Sequence, residues 1–398
     1  MDDKKTAREI FNKVINFESC PRTLNWEFGY WAGVIERWYK EGLSSIRPIP
    51  QNVNFADDVL GPALPVTAPT YGDPVLIDYD VSDFFEFDEG FAKIPYDYWI
   101  FPAFERKIIF EDERLIELYD YDGIRKIKMK DGSSMPFWLE YPVKTRADWE
   151  KIKEERFNPD SISKRYYGES EKFIEKSKDR TWPMAMLGGR VGFFGSIRFL
   201  IGEKELYFAY YDNPQLLKDI CDYLCDFWIN ISEELMSKMD FDAVVFWEDM
   251  SGKNGSLISP QTFREFMTPY YKRIVGFLKN RGIKNFIVDT DGNVSGLIPL
   301  FLEAGVNGMY PFEQQASNDL IEIRKKYPEL VMLGGFDKNT LLKDKTSIDK
   351  ELEKMEWMIK KGGYIPFADH LIPPNSPWEN FKYYRERLKE IIFKTRIL

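Results

Sequence analysis

A chain of 398 residues with 44% apolar residues can bury a large core, and no uninterrupted apolar stretch in it is long enough to span a bilayer. Its 55 basic and 65 acidic residues leave a formal charge of −10 with no Lys/Arg-rich run, which disfavours a nucleic-acid partner. Cys20, Cys221 and Cys225 form neither a CxxC pair nor a disulfide framework, and "MDDKKTAREIFNKV" turns at once into a helical pattern without an apolar signal core, so a cytoplasmic protein is expected.

From the N-terminus, "REIFNKVINF" and "GVIERWYKEGL" read as helices, and the Pro- and Gly-rich stretch 47–74 reads as a long loop. "IIFEDERLIELYDYDGIRKIKMKDG" alternates like an antiparallel meander with Asp-Gly turns. The aromatic residues before position 140 suit either the lining of a pocket for a flat ligand or an irregular core. "GGRVGFFGSIRFLIG" has neither Walker nor dinucleotide spacing. Its Arg190 and Arg198 offer an anion contact; the alternative is a tight strand-to-helix connection in which glycine permits close backbone approach.

Beyond residue 180 the pattern becomes regular. "DNPQLLKDICDYLCDFWINISEELMSKM" has Asn213 as an expected cap, Pro214 in the first turn, and Leu217, Ile220, Leu224, Phe227, Ile231 and Leu235 at helical spacing. Cys221 and Cys225 lie one turn apart on that helix and read as core filler. "DAVVFWEDM" is a strand ending in acid. "SPQTFREFMTPYYKRIVGFLKNRG" is a helix with an expected kink at Pro269, and "IKNFIVDTDG" is the next strand. The beat continues to the C-terminus, so a parallel sheet covered by helices is required. A (β/α)₈ TIM barrel is favoured over an open sheet, because polar residues gather at the C-terminal ends of at least five successive strands. One elaborated barrel over 1–398 is expected, irregular over 1–180 and regular over 181–398.

Those strand ends carry Glu248 and Asp249, Asp289 and Asp291, Glu313, Asp337, and Asp369 beside His370, the only histidine in the chain. If the sheet extends far enough, strand alternation puts Asp289 and Asp291 on one face. Two such carboxylates repel unless a cation or a proton lies between them, so Asp289, Asp291 and the His370 imidazole suit a divalent metal, with Glu248 as a further ligand. Asp291 is equally suited to capping the helix that follows, and Asp337 suits a cap better than a ligand. Glu248 and Asp249 occupy opposite strand faces, so one of them is expected to enter the site.

"LISPQTFREFMTPYYKRIV", "VDTDGN", "GGFDKNTLL" and "GGYIPFADHLIPPNSPWENFKYYRE", in that order, resemble the uroporphyrinogen decarboxylase superfamily, whose fold is a (β/α)₈ barrel. The likeness covers residues 180–398 well and extends loosely to "PRTLNWEFGYWAGVIERWYKEGL". It implies one of two chemistries. Cofactor-free decarboxylases hold a polycarboxylate tetrapyrrole with N-terminal arginines; here "NWEFGYW" stands in that place, bringing Trp26 and Glu27 toward substrate, and an acid there opposes substrate carboxylates.

Corrinoid-linked methyltransferases form the other branch, and by likeness to them Asp289, Asp291 and His370 fall on the three metal-ligand positions. Both of their sulfur ligands are lost and the set becomes oxygen-rich, so the metal, zinc by family habit, would polarise an ether or alcohol oxygen as in an O-demethylase component. The resemblance thus favours a metal-dependent methyltransferase working between a small methylated substrate (ether, alcohol or thiol) and a methylcobamide on a corrinoid-binding protein. Glu313 or Asp337 would exchange protons or orient ligands, and Trp247 and Arg190 would touch substrate. The alternatives are a decarboxylase of porphyrinogen-like substrates and a non-catalytic corrinoid- or tetrapyrrole-binding module.

Overall fold

In the computed structural model, which describes residues 5–45, 59–60, 79–92, 94–130 and 136–397, six strands form one sheet. They are Ala185–Leu187, Ala243–Trp247, Phe286–Asp289, Gly308–Tyr310, Val331–Leu333 and Tyr364–Ile365, and each pairs in parallel with the next in chain order. Parallel strands buried on both faces must be apolar along their length, and Ala243, Val244, Val245 and Phe246 are all buried. Helices supply the outer layer. Pro214–Met236 turns Leu217, Ile220, Leu224, Phe227, Ile231 and Leu235 inward, together with both of its cysteines. Each such side chain contributes about 1.5–3 kcal/mol on burial, which holds the helix in place without the expected cap, since the Asn213 side chain makes no capping bond. The kink expected at Pro269 is a full break: one helix ends at Phe266, and Thr268–Lys279 begins anew with Pro269 in its first turn.

Six strands leave two places in a barrel of eight, and N-terminal segments fill them. Beyond the Ala185–Leu187 edge, Ala92 bridges Met184 in parallel. Beyond the Tyr364–Ile365 edge runs the 23–31 segment: the Thr23 hydroxyl donates to the Tyr364 carbonyl (2.8 Å), the Ala368 amide donates to Glu27 (2.9 Å), and Tyr30 bridges Ile372 in parallel. The architecture is a (β/α)₈ barrel whose first two positions are irregular.

The expected helices form over Ala7–Ile15 and Ala32–Glu41. The meander forms as well, an antiparallel sheet of Lys107–Glu111, Leu115–Tyr119, Arg125–Met129 and Phe137–Glu140. Of the expected loop at 47–74, only Val59–Leu60 lies within the described residues, paired antiparallel with Tyr30–Trp31. No helix among the described residues is long and apolar enough to cross a membrane.

Candidate functional site

The strand Phe286–Asp289 stops at Asp289, so Asp291 is placed by the following turn rather than by strand alternation. Gly292 makes that turn at φ 74°, and a Cβ there would lie 2.4 Å from the Ser251 carbonyl oxygen, which only glycine tolerates. The next helix begins at Ile298, too far on for Asp291 to cap it. Asp291 instead faces across the barrel mouth, its Oδ2 3.5 Å from His370 Nε2. Burial disfavours charge on both groups. The hydrogen bond and the opposite charge outweigh it, raising the imidazole above its usual range and holding the carboxyl below its own. Both shifts favour the imidazolium–carboxylate form of the pair. Its side chains stay 27% and 35% exposed, so small molecules reach them, and the Phe28 ring lies against the imidazole at 5.3 Å.

Two ionic groups flank the pair. On one side Arg198 grips Asp249, with Nη2 2.7 Å from Oδ2 and Nη1 donating to the Asp249 carbonyl at 3.0 Å. Burial raises the Asp249 carboxyl, with Asp291 adding to the rise and Arg198 opposing it. Asp249 holds the unusual φ of 43°, which turns its side chain away from Glu248 next door. On the other side Lys338 Nζ lies 3.6 Å from Glu313 and 3.5 Å from Asp369, while Glu313 also accepts from the Gly292 amide at 3.0 Å. Asp369 is wholly buried and accepts the Gln314 and Lys338 amides at 2.8 and 3.0 Å. Burial pushes its carboxyl up to about 6, against the pull of Lys338 and those amides. Asp369 thus ties two strand-end loops together beneath His370.

Trp247 and Arg190 stand beside Arg198. The Arg198 guanidinium lies 5.6 Å from the Trp247 ring, and Arg190 lies 3.9 Å above Phe199 while pairing with Asp122 at 3.2 Å.

Other expected site residues do different work. Glu248 is fully buried, and its oxygens accept the amides of Phe193, Phe194 and Gly195, each at 2.7 Å, together with the Tyr271 hydroxyl. Its lone pairs are taken by the fold, which corrects its assignment as a ligand. Glu27 is equally sealed, paired with Arg385 at 3.2 Å, and Trp26 packs in the core against Phe11 and Phe91, so neither meets substrate. Of the other aromatics before residue 140, Tyr30, Trp38 and Trp99 are likewise core, whereas Phe84, Phe110, Phe137 and Trp138 are exposed. Asp337 caps the turn Lys338–Leu342 by accepting the Asn339 amide at 3.0 Å and its side-chain amide at 2.9 Å. Asp289 is buried and turned toward the Tyr310 hydroxyl, whose pKa is raised by burial first and then by that carboxylate.

Of the donor set expected for a divalent metal, only Asp291 and His370 therefore meet. Among the described residues, no three His, Cys, Asp or Glu side chains converge closely enough to hold a metal ion. The donors in this arrangement do not fit a resident zinc. The sequence offers Arg198 as an anion contact and Asp249 as one of two acids for the mouth without pairing them, and the residue it misses is Lys338. Lys338 had a signal, since it follows directly on the strand-end acid in "GGFDKNT".

A family model described as uroporphyrinogen decarboxylase (URO-D) matches residues 115–391. A relative named uroporphyrinogen decarboxylase from Prochlorococcus marinus (strain MIT 9312) is 24% identical over 265 residues, which is 64% of this chain and 72% of the relative. Another of the same name, from Hydrogenobaculum sp. (strain Y04AAS1), is 25% identical over 142 residues, covering 35% of this chain and 40% of its own.

Proposed function

We propose, for a chain that belongs to the uroporphyrinogen decarboxylase family, an acid–base reaction at the barrel mouth in which His370 is the proton donor and Asp291 keeps it charged. The reaction this supports best is cofactor-free decarboxylation. The observation that carries it is the half-open His370–Asp291 pair, 3.5 Å apart. A carboxylate R–CO₂⁻ loses CO₂, leaving its electron pair on carbon, and the imidazolium gives that carbon a proton. Water then returns a proton to the neutral imidazole. Because no cofactor takes the electron pair, the substrate must carry its own electron sink, such as an electron-poor or protonated ring beside the carboxylated carbon. Arg198 and Lys338, each already paired with an acid, flank the pair where they can orient a substrate carboxylate other than the one lost, and Trp247 and Arg190 offer aromatic and cationic groups beside Arg198. The buried position of Glu27 removes the acid that would oppose substrate carboxylates.

A second reading, metal-dependent methyl transfer between a small methylated substrate and a corrinoid-binding protein, is favoured by one observation: Asp291 and His370, two of the three positions implied by resemblance, do meet across the mouth. One experiment separates the two. The protein is incubated anaerobically with uroporphyrinogen and with simpler ring-acetic acids in D₂O, and CO₂ release and deuterium in the product are measured. Decarboxylation predicts one deuterium at the carbon that lost CO₂, abolished in His370→Gln. Absence of CO₂ from every substrate, together with stoichiometric zinc uptake that Asp291→Ala and His370→Ala both eliminate, would sink it in favour of methyl transfer.

A further inference from the structure

The glycine-rich stretch 188–202 and the buried Glu248 have no part in the proton transfer, yet each is built around the other. Glu248 ends the strand Ala243–Trp247, and its carboxylate enters a nest of three consecutive amides, Phe193, Phe194 and Gly195, each 2.7 Å away. The Tyr271 hydroxyl closes the fourth side. A Cβ on Gly192 would lie 2.2 Å from the Trp247 carbonyl oxygen and 2.7 Å from the Glu248 carboxyl carbon, so the turn can lie this close only as glycine. Ser196 knits the same turn, accepting the Gly192 amide at 3.0 Å and donating to the Arg190 carbonyl. Arg190 enters this turn and Arg198 leaves it on the helix Gly195–Ile201. The Arg198 guanidinium reaches the mouth at Asp249, and that of Arg190 stacks on Phe199 and pairs with Asp122.

We infer that Glu248 is a positioning residue. By holding three amides it fixes the turn that aims Arg198 at Asp249, and through that contact it sets the positive charge beside Asp291 and His370. The inference rests on the reading that the mouth is where the chemistry occurs. A carboxylate is required, because it accepts four donors at once, whereas a glutamine would turn its own amide N–H groups toward some of them.

The test reads the position of Arg198 directly and needs no substrate. The folded protein is treated with phenylglyoxal, which modifies accessible guanidinium groups, and the rate at each arginine is followed by peptide mass spectrometry. Arg198, 14% exposed and ion-paired, should react slowly in the parent protein. In Glu248→Gln it should react about tenfold faster or more, the scale of a lost charged hydrogen bond, while the buried Arg165, Arg324 and Arg385 stay protected. An Arg198 as slow in the variant as in the parent overturns the inference. If Glu248→Gln loosens every arginine alike, Gly192→Ala decides, since it keeps the carboxylate while the added Cβ, 2.2 Å from the Trp247 carbonyl oxygen, pushes the turn away from it. Selective release of Arg198 there supports positioning, and uniform or absent release overturns it. Failure of this test leaves the His370–Asp291 reading standing, and failure to release CO₂ leaves this test intact.

Discussion

Two ion pairs of nearly equal length divide the labour of this barrel. Glu27 and Arg385 lie 3.2 Å apart with both side chains wholly buried, and Asp291 and His370 lie 3.5 Å apart with about a third and a quarter of theirs exposed. In the first, every neighbour is a fixed donor or acceptor: Glu27 takes the Phe28 and Ala368 amides, and Arg385 reaches Asn25 as well. That pair joins the C-terminal helix Trp378–Lys394 to the 23–31 segment that closes the barrel. In the second, one side faces open space and one partner is a histidine, whose imidazole is raised above its usual range. Distance alone does not separate a structural pair from a chemical one; access and a removable proton do.

Breaking the sealed pair should have the largest effect. Arg385→Met leaves a buried carboxylate without its cation and should cost about 3–5 kcal/mol of unfolding free energy, read by urea denaturation. Glu27→Gln combined with Arg385→Met should recover part of that loss, because the unpaired charge goes too. A single variant within 1 kcal/mol of the parent would erase the contrast. Breaking the open pair should act on turnover instead. His370→Gln should lower the rate by about 10²–10⁴-fold, the span of a lost general acid, while shifting stability by only about 0.5 kcal/mol. A stability loss as large as that of Arg385→Met would make the two pairs alike.

Titration sharpens the comparison, and the single histidine lets proton NMR follow His370 without overlap. Its raised pKa means the paired state contributes stability below the ordinary histidine range, and that contribution is lost as pH rises through the folded value. Turnover that uses the imidazolium should fall on that same alkaline side. On the acid side it should hold until Asp291 protonates, below the usual aspartate range. Asp291→Asn removes the charge that sustains the imidazolium, so both the NMR midpoint and the alkaline limb of the rate should move to lower pH. A midpoint unmoved by Asp291→Asn would show that the pair is not coupled. The guanidinium of Arg385 carries no such titration.

The difference between the pairs also marks what the chain reveals as text. The strand-helix beat exposes the barrel and the order of its strand ends, because apolar periodicity and caps are local properties. Asp291, Glu313 and His370 at the mouth follow from that order. Glu248 and Asp249 do not separate from sequence, since which neighbour turns inward depends on a nest of amides 53–55 residues away and on a positive φ at Asp249. Glu27 misleads for the same reason: its cation, Arg385, lies 358 residues further along. Lys338 is visible as a letter, but the reach of its side chain between Glu313 and Asp369 is a tertiary fact.

Asp337 gives the smallest and most discriminating case, because it is a strand-end acid at the rim like Asp291 yet its carboxylate is occupied like that of Glu27. Its Oδ1 accepts the Asn339 amide and the Asn339 side chain, which starts the turn carrying Thr340 and Leu341 into the core. Replacing such a cap with alanine typically costs about 1 kcal/mol. Asp337→Ala should therefore lower stability by that amount in urea titration and leave the NMR midpoint of His370 where it was. Lys338 complicates the expectation, since its amide is held from the other side by Asp369 at 3.0 Å. That second hold should keep Lys338 at the mouth when the cap is gone, so turnover should change by less than about twofold while Asp369→Ala, which removes it, lowers turnover further. A loss of turnover in Asp337→Ala comparable to that of His370→Gln would move Asp337 from the frame of the site into its chemistry.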